Sequence, residues 1–247
     1  MLVLDFDGVI ADAVLECAAV TWYARFPERA ARTPKLSDAI AGVPSDFLQT
    51  FKGVRAFSRT LADFMVTHEL FPDKRTVDSD AFQDAKRSTQ TGRLDALAAR
   101  AEAVRATWRR EQFSEWVSLH RIFAPMSDMI KKTSHPIMIV SAKDSDSINA
   151  ILHQNGLANR VIKIFGSCQD KHAVLTSIIA EIAEGGSTKE TIFIDDSIDN
   201  VIAVKGLPIR ALWASWGYHG SEDYARAAAN DIQVIELKEL SAISGLQ

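Results

Sequence analysis

Apolar residues follow two spacings along this chain, and the change between them marks its organisation. Leu2-Val3-Leu4 is a short β-compatible apolar run ended by Asp5-Phe6-Asp7-Gly8, and it predicts a strand. From Ala11 to Phe26 the spacing becomes helical: Val14, Leu15, Ala18 and Trp22 recur every three to four residues. Pro27 and Pro34 punctuate the next stretch. Ser37 and Asp38 predict the cap of a helix running through Leu48, and Ser58 to Leu70 predicts another, closed by Pro72. A long helix is expected from Asp80 to Gln112, because Leu94, Leu97, Ala101, Val104 and Trp108 form one apolar stripe. That stripe reads as helix–helix packing. No buried strand is expected between Ala11 and Arg121.

The strand pattern then returns. Pro136–Val140, Val161–Phe165, Thr191–Ile194, Ile209–Trp213 and Ile232–Ile235 are short apolar runs. Helical patterns separate most of them, at Ser145–Gln154, Lys171–Glu184 and Ile198–Val204. Short all-apolar strands alternating with helices imply an α/β fold, a Rossmann-like parallel sheet flanked by helices. Its first strand lies at the start of the chain and its second near residue 137. The simplest division is therefore an α/β core domain of residues 1–12 and 122–247, with an inserted all-helical domain of residues 13–121. Candidate hinges are Gly8 to Asp12 and Ile122 to Pro125, where the chain leaves and re-enters the core. Gly185-Gly186-Ser187 reads as a turn, and no repeat or low-complexity linker occurs.

Composition narrows the function class. The 247 residues carry 28 Lys plus Arg against 32 Asp plus Glu, a formal net charge of −4, so nothing draws the chain generally to nucleic acid or an anionic membrane. No apolar run approaches the roughly 18 residues of a membrane span. The first residues have no basic region or long apolar core, so no secretory signal is expected and the cytoplasm is the expected compartment. Cys17 and Cys168 are the only cysteines, too few and too far apart for a disulfide framework or a thiolate zinc site. The histidines show no HxH or HExxH spacing, and no GxxxxGK[ST] or GxGxxG loop occurs. The Arg and Lys excess on the long helix reads as a solvated face.

Open α/β sheets bind ligands at the carboxyl ends of their strands. Here those ends offer Asp5 and Asp7, then Ser141, then Asp195, Asp196, Asp199 and Asn200, with Lys171 opening a helix. Clustered carboxylates need a counter-charge, and a set of hard oxygen donors suits Mg²⁺. An Asp beside Mg²⁺ can attack phosphorus, and a carboxyl two residues on can serve as acid and base. Taken singly, Ser141 reads as a helix cap, Lys171 as a surface lysine and Asp195-Asp196 as a solvated turn. A D-x-D-G match arises by chance only about 0.06 times in a chain of this length, and this one follows an N-terminal apolar strand. Cys168 reads as a passive thiol, His172 as a polar helix position and Asp12 as a structural residue.

These residues resemble a family. Asp5-Phe6-Asp7-Gly8-Val9-Ile10-Ala11-Asp12 is similar to the first motif, DxDGxxxD, of the haloacid dehalogenase superfamily. Ser141 resembles its second motif, Lys171 its third, and Asp195-Asp196-Ser197-Ile198-Asp199-Asn200 the DDxxxN form of its fourth. The stretch Trp213–Tyr218 with Glu222 is similar to the tail of phosphoglycolate phosphatase-like members. The resemblance covers about residues 1–12 and 122–240, and the helical insertion matches that branch's cap in position only. It implies a Mg²⁺-dependent phosphatase that hydrolyses a small phosphomonoester through an aspartyl-phosphate. Asp5 would be the nucleophile, and Asp7 the acid/base that lends its backbone carbonyl to the metal. Asp5, Asp7, Asp196 and Asp195 would form the metal site, and Ser141, Ala142 and Lys171 the phosphate site. Many relatives carry a second Asp four residues after the first in the fourth motif. Here that position is Asn200 and Asp199 is one residue early, so the sequence leaves both Asp199 and Asn200 open as the residue supporting the metal. The same chemistry would serve a phosphomutase. Dehalogenation of a 2-haloacid fits less well because Asp7 is present, and a decayed site kept for binding has only the Asn200 departure behind it. A monomer or a homodimer is compatible with the sequence.

Overall fold

The computed structural model describes residues 1–32, 35–73, 77–184 and 190–242. Pro34, the turn expected at Gly185-Gly186-Ser187 and the last five residues lie outside them. Six strands form one parallel sheet: β1 (Leu2–Leu4), β4 (Ile137–Val140), β5 (Val161–Phe165), β6 (Ile192–Asp195), β7 (Arg210–Ala214) and β8 (Gln233–Ile235), in the order β5-β4-β1-β6-β7-β8. Two further short strands, β2 (Ala11–Asp12) and β3 (Arg121–Ile122), pair with each other antiparallel. β1 lies at the centre, hydrogen-bonded to β4 and β6 in register Leu2↔Ile137 and Leu2↔Ile192.

This register explains why β1 is apolar at every position. Val3 packs with Met138, Val140, Phe193, Leu175, Ile178 and Val204 on one face. Successive strand side chains point to opposite faces, so the equally buried Leu2 and Leu4 occupy the other. The outer strand β5 differs from the buried run the sequence suggests. Ile162 is 60 % exposed and Lys163 is exposed too. As the edge strand it has a pairing partner on one side only, and its lysine discourages edge-to-edge association.

The chain divides into two compact units, Met1–Asp12 with Arg121–Gln247 and, between them in sequence, Ala13–His120. The second unit is helical, and its helices are shorter than the sequence pattern suggests. The first begins at Val14 rather than Ala11, because Ala11 and Asp12 are spent on pairing with Ile122 and Arg121. The segment Ser37–Leu48 is two helices, Leu36–Ala41 and Ser45–Arg55. Pro44 forces the break, since proline disfavours helical geometry in the residue before it. Ser58–Leu70 becomes Leu61–Phe64 and Thr67–Leu70. Thr60 sets the later start through a capping box: its hydroxyl accepts from Asp63 N at 3.2 Å, and Asp63 Oδ2 accepts from Thr60 N at 2.9 Å. The long helix is Ser79–Ser88 and Thr91–Glu111, parted where Thr89 turns extended; the Thr89 hydroxyl donates to the Ala85 carbonyl at 2.7 Å. Helices Phe113–Ser118, Ala124–Lys132 and Asp223–Ala229 are additional to those the sequence pattern predicts.

Leu94, Leu97, Ala101, Val104 and Trp108 are all buried, and Trp108 meets Tyr23 edge-on at 5.8 Å between centroids. Arg105, on the same helix, turns inward. Its Nε and Nη2 donate to Glu16 at 2.7 and 3.1 Å, and Trp116 Nε1 donates to the same carboxylate at 3.2 Å. This helix therefore gives one of its cations to the unit's own interior. Among the described residues, no helix is long and apolar enough to cross a membrane.

His68 makes the helical unit acid-sensitive. Its Nε2 lies 2.8 Å from the Thr21 carbonyl oxygen and its ring leans on Phe47. Burial lowers its pKa to about 4, with Arg25 and Arg93 acting in the same direction and the Thr21 bond against them. The unfolded chain takes up this proton near pH 6.5 and the folded chain near 4. Stability is therefore expected to be full above pH 6.5 and to fall as pH drops toward 4, by about 3 kcal/mol if no other group compensates. Urea melts between pH 7 and 4.5 check this, and His68→Gln should flatten the slope.

Candidate active site

The carboxyl ends of β1, β4 and β6 bring the candidate residues together. Asp5 follows Leu4 directly. Its Oδ1 accepts from Phe6 N at 2.7 Å and lies 3.0 Å from Lys171 Nζ, and the Ser141 hydroxyl also bonds its carboxylate. Burial pushes the Asp5 carboxyl above its ordinary pKa, and the neighbouring Asp195 adds to this, while Lys171 and Ser141 act against it. Ser141, at the end of β4, is buried, whereas Ala142 is exposed.

Lys171 opens helix Lys171–Glu184 and is buried between two carboxylates, 2.7 Å from Asp195 Oδ2 and 3.0 Å from Asp5 Oδ1. Burial alone would favour its neutral form, but Asp195 and Asp5 outweigh it and hold its pKa well above that of an ordinary lysine. Asp195, fully buried, also accepts from Ser197 N at 2.8 Å and from the Asn200 amide at 3.1 and 3.3 Å. Asp195 thus anchors the ammonium to the sheet.

Asp196 sits in a cradle that only glycine permits. Tyr218 N donates to its Oδ2 at 2.7 Å, and Trp213 Nε1 donates to its carbonyl at 2.7 Å. A Cβ on Gly8 would lie 2.0 Å from Asp196 Oδ2, and one on Gly217 would lie 2.2 Å from Asp196 Cβ. Gly8 also has φ +89°, a left-handed conformation that glycine alone adopts without strain.

One oxygen from each of Asp5, Asp195 and Asp196 lies within 4.8 Å of the others, and all three residues are buried. Four carboxylates, counting Asp7, face two ammonium groups, those of Lys171 and Lys143. The donors are hard oxygens, and the glycine cradle keeps the Asp196 carboxylate from being crowded out, so Asp5, Asp195 and Asp196 could together hold a metal ion.

Asp7 stands apart from that side-chain group. Its Oδ2 lies 3.2 Å from Lys143 Nζ, and its buried Oδ1 has no hydrogen-bond partner among the described residues. Lys143 is a site residue that the sequence pattern did not reveal. It follows Ser141 by two positions, and a lysine just before a helix cap has no distinguishing local signal. Asp199 and Asn200 are separated by the fold: Asp199 pairs with Arg226, whereas Asn200 faces Asp195. Asp12 accepts from the Tyr218 hydroxyl at 2.9 Å and lies 3.4 Å from Arg121 Nη2. Trp216 Nε1 donates to the Val9 carbonyl at 3.1 Å. The stretch Trp213–Tyr218 therefore holds both Asp196 and the segment leaving β1. Cys168 is half-buried against the sheet core, its thiol pKa raised by burial, and His172 is exposed.

The same arrangement of sheet and inserted helices occurs in solved structures over nearly whole chains. A protein described as a predicted phosphoglycolate phosphatase from Haemophilus somnus superposes with a TM-score of 0.63 at 13 % identity, covering 99 % of this chain and 97 % of that one. A haloacid dehalogenase-like family hydrolase from Streptococcus pneumoniae gives 0.58 at 15 %, covering 100 % and 97 %. This chain has the haloacid dehalogenase-like fold. A predicted phosphatase from Clostridium acetobutylicum with the same fold gives 0.60 at 14 %, covering 98 % and 95 %. No protein-family model and no curated protein matches the sequence. The likeness to haloacid dehalogenase-like proteins thus lies in the three-dimensional arrangement and in the short motifs at the strand ends.

Proposed function

We propose that the chain is a Mg²⁺-dependent, cytoplasmic phosphatase that hydrolyses a small phosphomonoester through an aspartyl-phosphate on Asp5. The observation that carries this reading is the position of Asp5. It is a buried carboxylate at the end of the central strand, held by Phe6 N and Lys171 and grouped with Asp195 and Asp196. Asp5, Asp196 and the backbone carbonyl of Asp7 would hold the cation, with Asp195 behind them. Bound there, Mg²⁺ would offset the charge of the phosphoryl oxygens and draw them to Asp5.

Lys171 and Ser141 orient the phosphoryl group beside the Asp5 carboxylate. A carboxylate oxygen of Asp5 forms a bond to phosphorus as the bond to the leaving oxygen breaks, and Asp7 gives that oxygen a proton. Asp7 then takes a proton from water, which attacks phosphorus and frees both phosphate and the Asp5 carboxylate. Asn200 keeps Asp195 turned toward Lys171, and Asp199 stabilises the helix pair through Arg226 without entering the chemistry.

Phosphate release from a panel of phosphomonoesters, with Mg²⁺ and with EDTA, tests the reading. Metal-dependent turnover of at least one compound is expected, with phosphate appearing in solution. Return of the phosphoryl group to an isomeric hydroxyl would identify a mutase. Metal-free halide release from a 2-haloacid, or no reaction on any compound, would overturn the assignment.

A further inference from the structure

Lys143 is built into the site in a way that a surface lysine is not. Its side chain is only 6 % exposed, and its Nζ lies 3.2 Å from Asp7 Oδ2. Its backbone is clamped as well. The Lys143 carbonyl accepts from Ser167 N at 2.9 Å, and Lys143 N donates to Ser141 Oγ at 3.4 Å. Gly166 closes the clamp, since a Cβ there would fall 2.8 Å from the Lys143 carbonyl and 2.3 Å from Ser145 N. Ser167 takes a positive φ of 54° beside it. Burying an ammonium and ordering a long side chain both cost free energy. A salt bridge that served folding alone would be poor return for that cost.

The two oxygens of Asp7 are not equivalent. Oδ2 faces an ammonium, whereas Oδ1 is buried with no hydrogen-bond partner among the described residues. A proton on Oδ2 would point at a cation, so a proton carried by Asp7 belongs on Oδ1. We propose that Lys143 is a positioning residue that pins Asp7 through Oδ2 and thereby makes Oδ1 the oxygen that protonates the leaving group. In that step the Oδ1–H bond breaks as the bond from hydrogen to the leaving oxygen forms. The electron pair of the broken P–O bond stays on the leaving oxygen, and Asp7 is left as a carboxylate against Lys143. This inference rests on the phosphatase reading above.

The test compares leaving groups in kcat/KM, which covers the steps through departure of the alcohol. p-Nitrophenolate leaves without a proton, whereas the alkoxide of an alkyl phosphate needs one. Lys143→Met is expected to lower kcat/KM for the best alkyl phosphate about 10²-fold and for p-nitrophenyl phosphate no more than about threefold. Lys143→Arg should restore much of the difference. Equal losses on both substrates, or no loss on either, would overturn the role of Lys143. If the Met protein does not fold, Lys143→Gln is read by the same ratio. Failure of the underlying reading looks different, because the unsubstituted protein would then turn over neither compound.

Discussion

Replacing Asp5 with Asn is expected to lower turnover about 10⁴-fold or more while leaving the fold intact. The loss follows from covalent catalysis: the amide is a far poorer nucleophile toward phosphorus, and among the described residues no second carboxylate shares the contact of Asp5 with both Phe6 N and Lys171. The fold should survive because the amide oxygen can still accept from Phe6 N, and Lys171 keeps its 2.7 Å bond to Asp195. The sign of the stability change is also fixed. Burial raises the Asp5 carboxyl pKa above that of the unfolded chain. At neutral pH its charge therefore opposes folding, and the opposition is lost only as pH falls through the folded-state pKa toward the ordinary carboxylate value. In metal-free buffer at pH 7 the Asn protein should melt at or above the temperature of the parent. Calorimetry in EDTA, beside phosphate release in Mg²⁺, checks both halves. A large drop in melting temperature would show that Asp5 supports the fold, contrary to this account.

Gly217→Ala is expected to cost about 10²-fold or more in turnover and to weaken Mg²⁺ binding, although residue 217 contributes no side chain. The added methyl would meet Asp196 at its Cβ, 2.2 Å away, close to the backbone. No rotation of the carboxylate relieves a clash at that atom, so Asp196 must shift bodily, and shifts of about 1 Å can cost a catalytic site about 10²-fold. Gly8→Ala combines a similar clash, at the Oδ2 end of Asp196, with backbone strain at φ +89°. Gly217 has no positive φ, so it isolates the steric effect. Gly206→Ala, where no atom of the described residues lies within 4 Å of the added carbon, is the control and should behave as the parent. Magnesium titration by calorimetry separates lost binding from lost chemistry.

The α/β part of the fold was more legible than the helical part for a physical reason. A buried parallel strand must be apolar at every position, so runs such as Ile137–Val140 and Ile192–Ile194 stand out from the polar residues ending them. In the helical unit, breaks depend on single local events. Pro44, the Thr60–Asp63 box and the extended backbone at Thr89 each mark a helix end without disturbing the apolar spacing. The exposure of Ile162 depends on strand order, because β5 is mostly apolar in sequence yet lies at the edge of the sheet.

The sequence by itself determined which chemistry could meet at the sheet's edge. Asp5, Ser141 and Asp195-Asp196 directly follow or close strands, and Lys171 opens a helix, so a parallel sheet places them at the same end whatever the strand order. Only the tertiary structure decided how each group is used. Asp196 is held by Tyr218, Asp7 by Lys143, and Asp199 is drawn to Arg226, leaving Asn200 to face Asp195. Local pattern specifies a residue's element and the end at which it sits. Its hydrogen-bonding partner, 22 residues away for Asp196 and 136 for Asp7, is set only when the crossovers bring separate strand ends together.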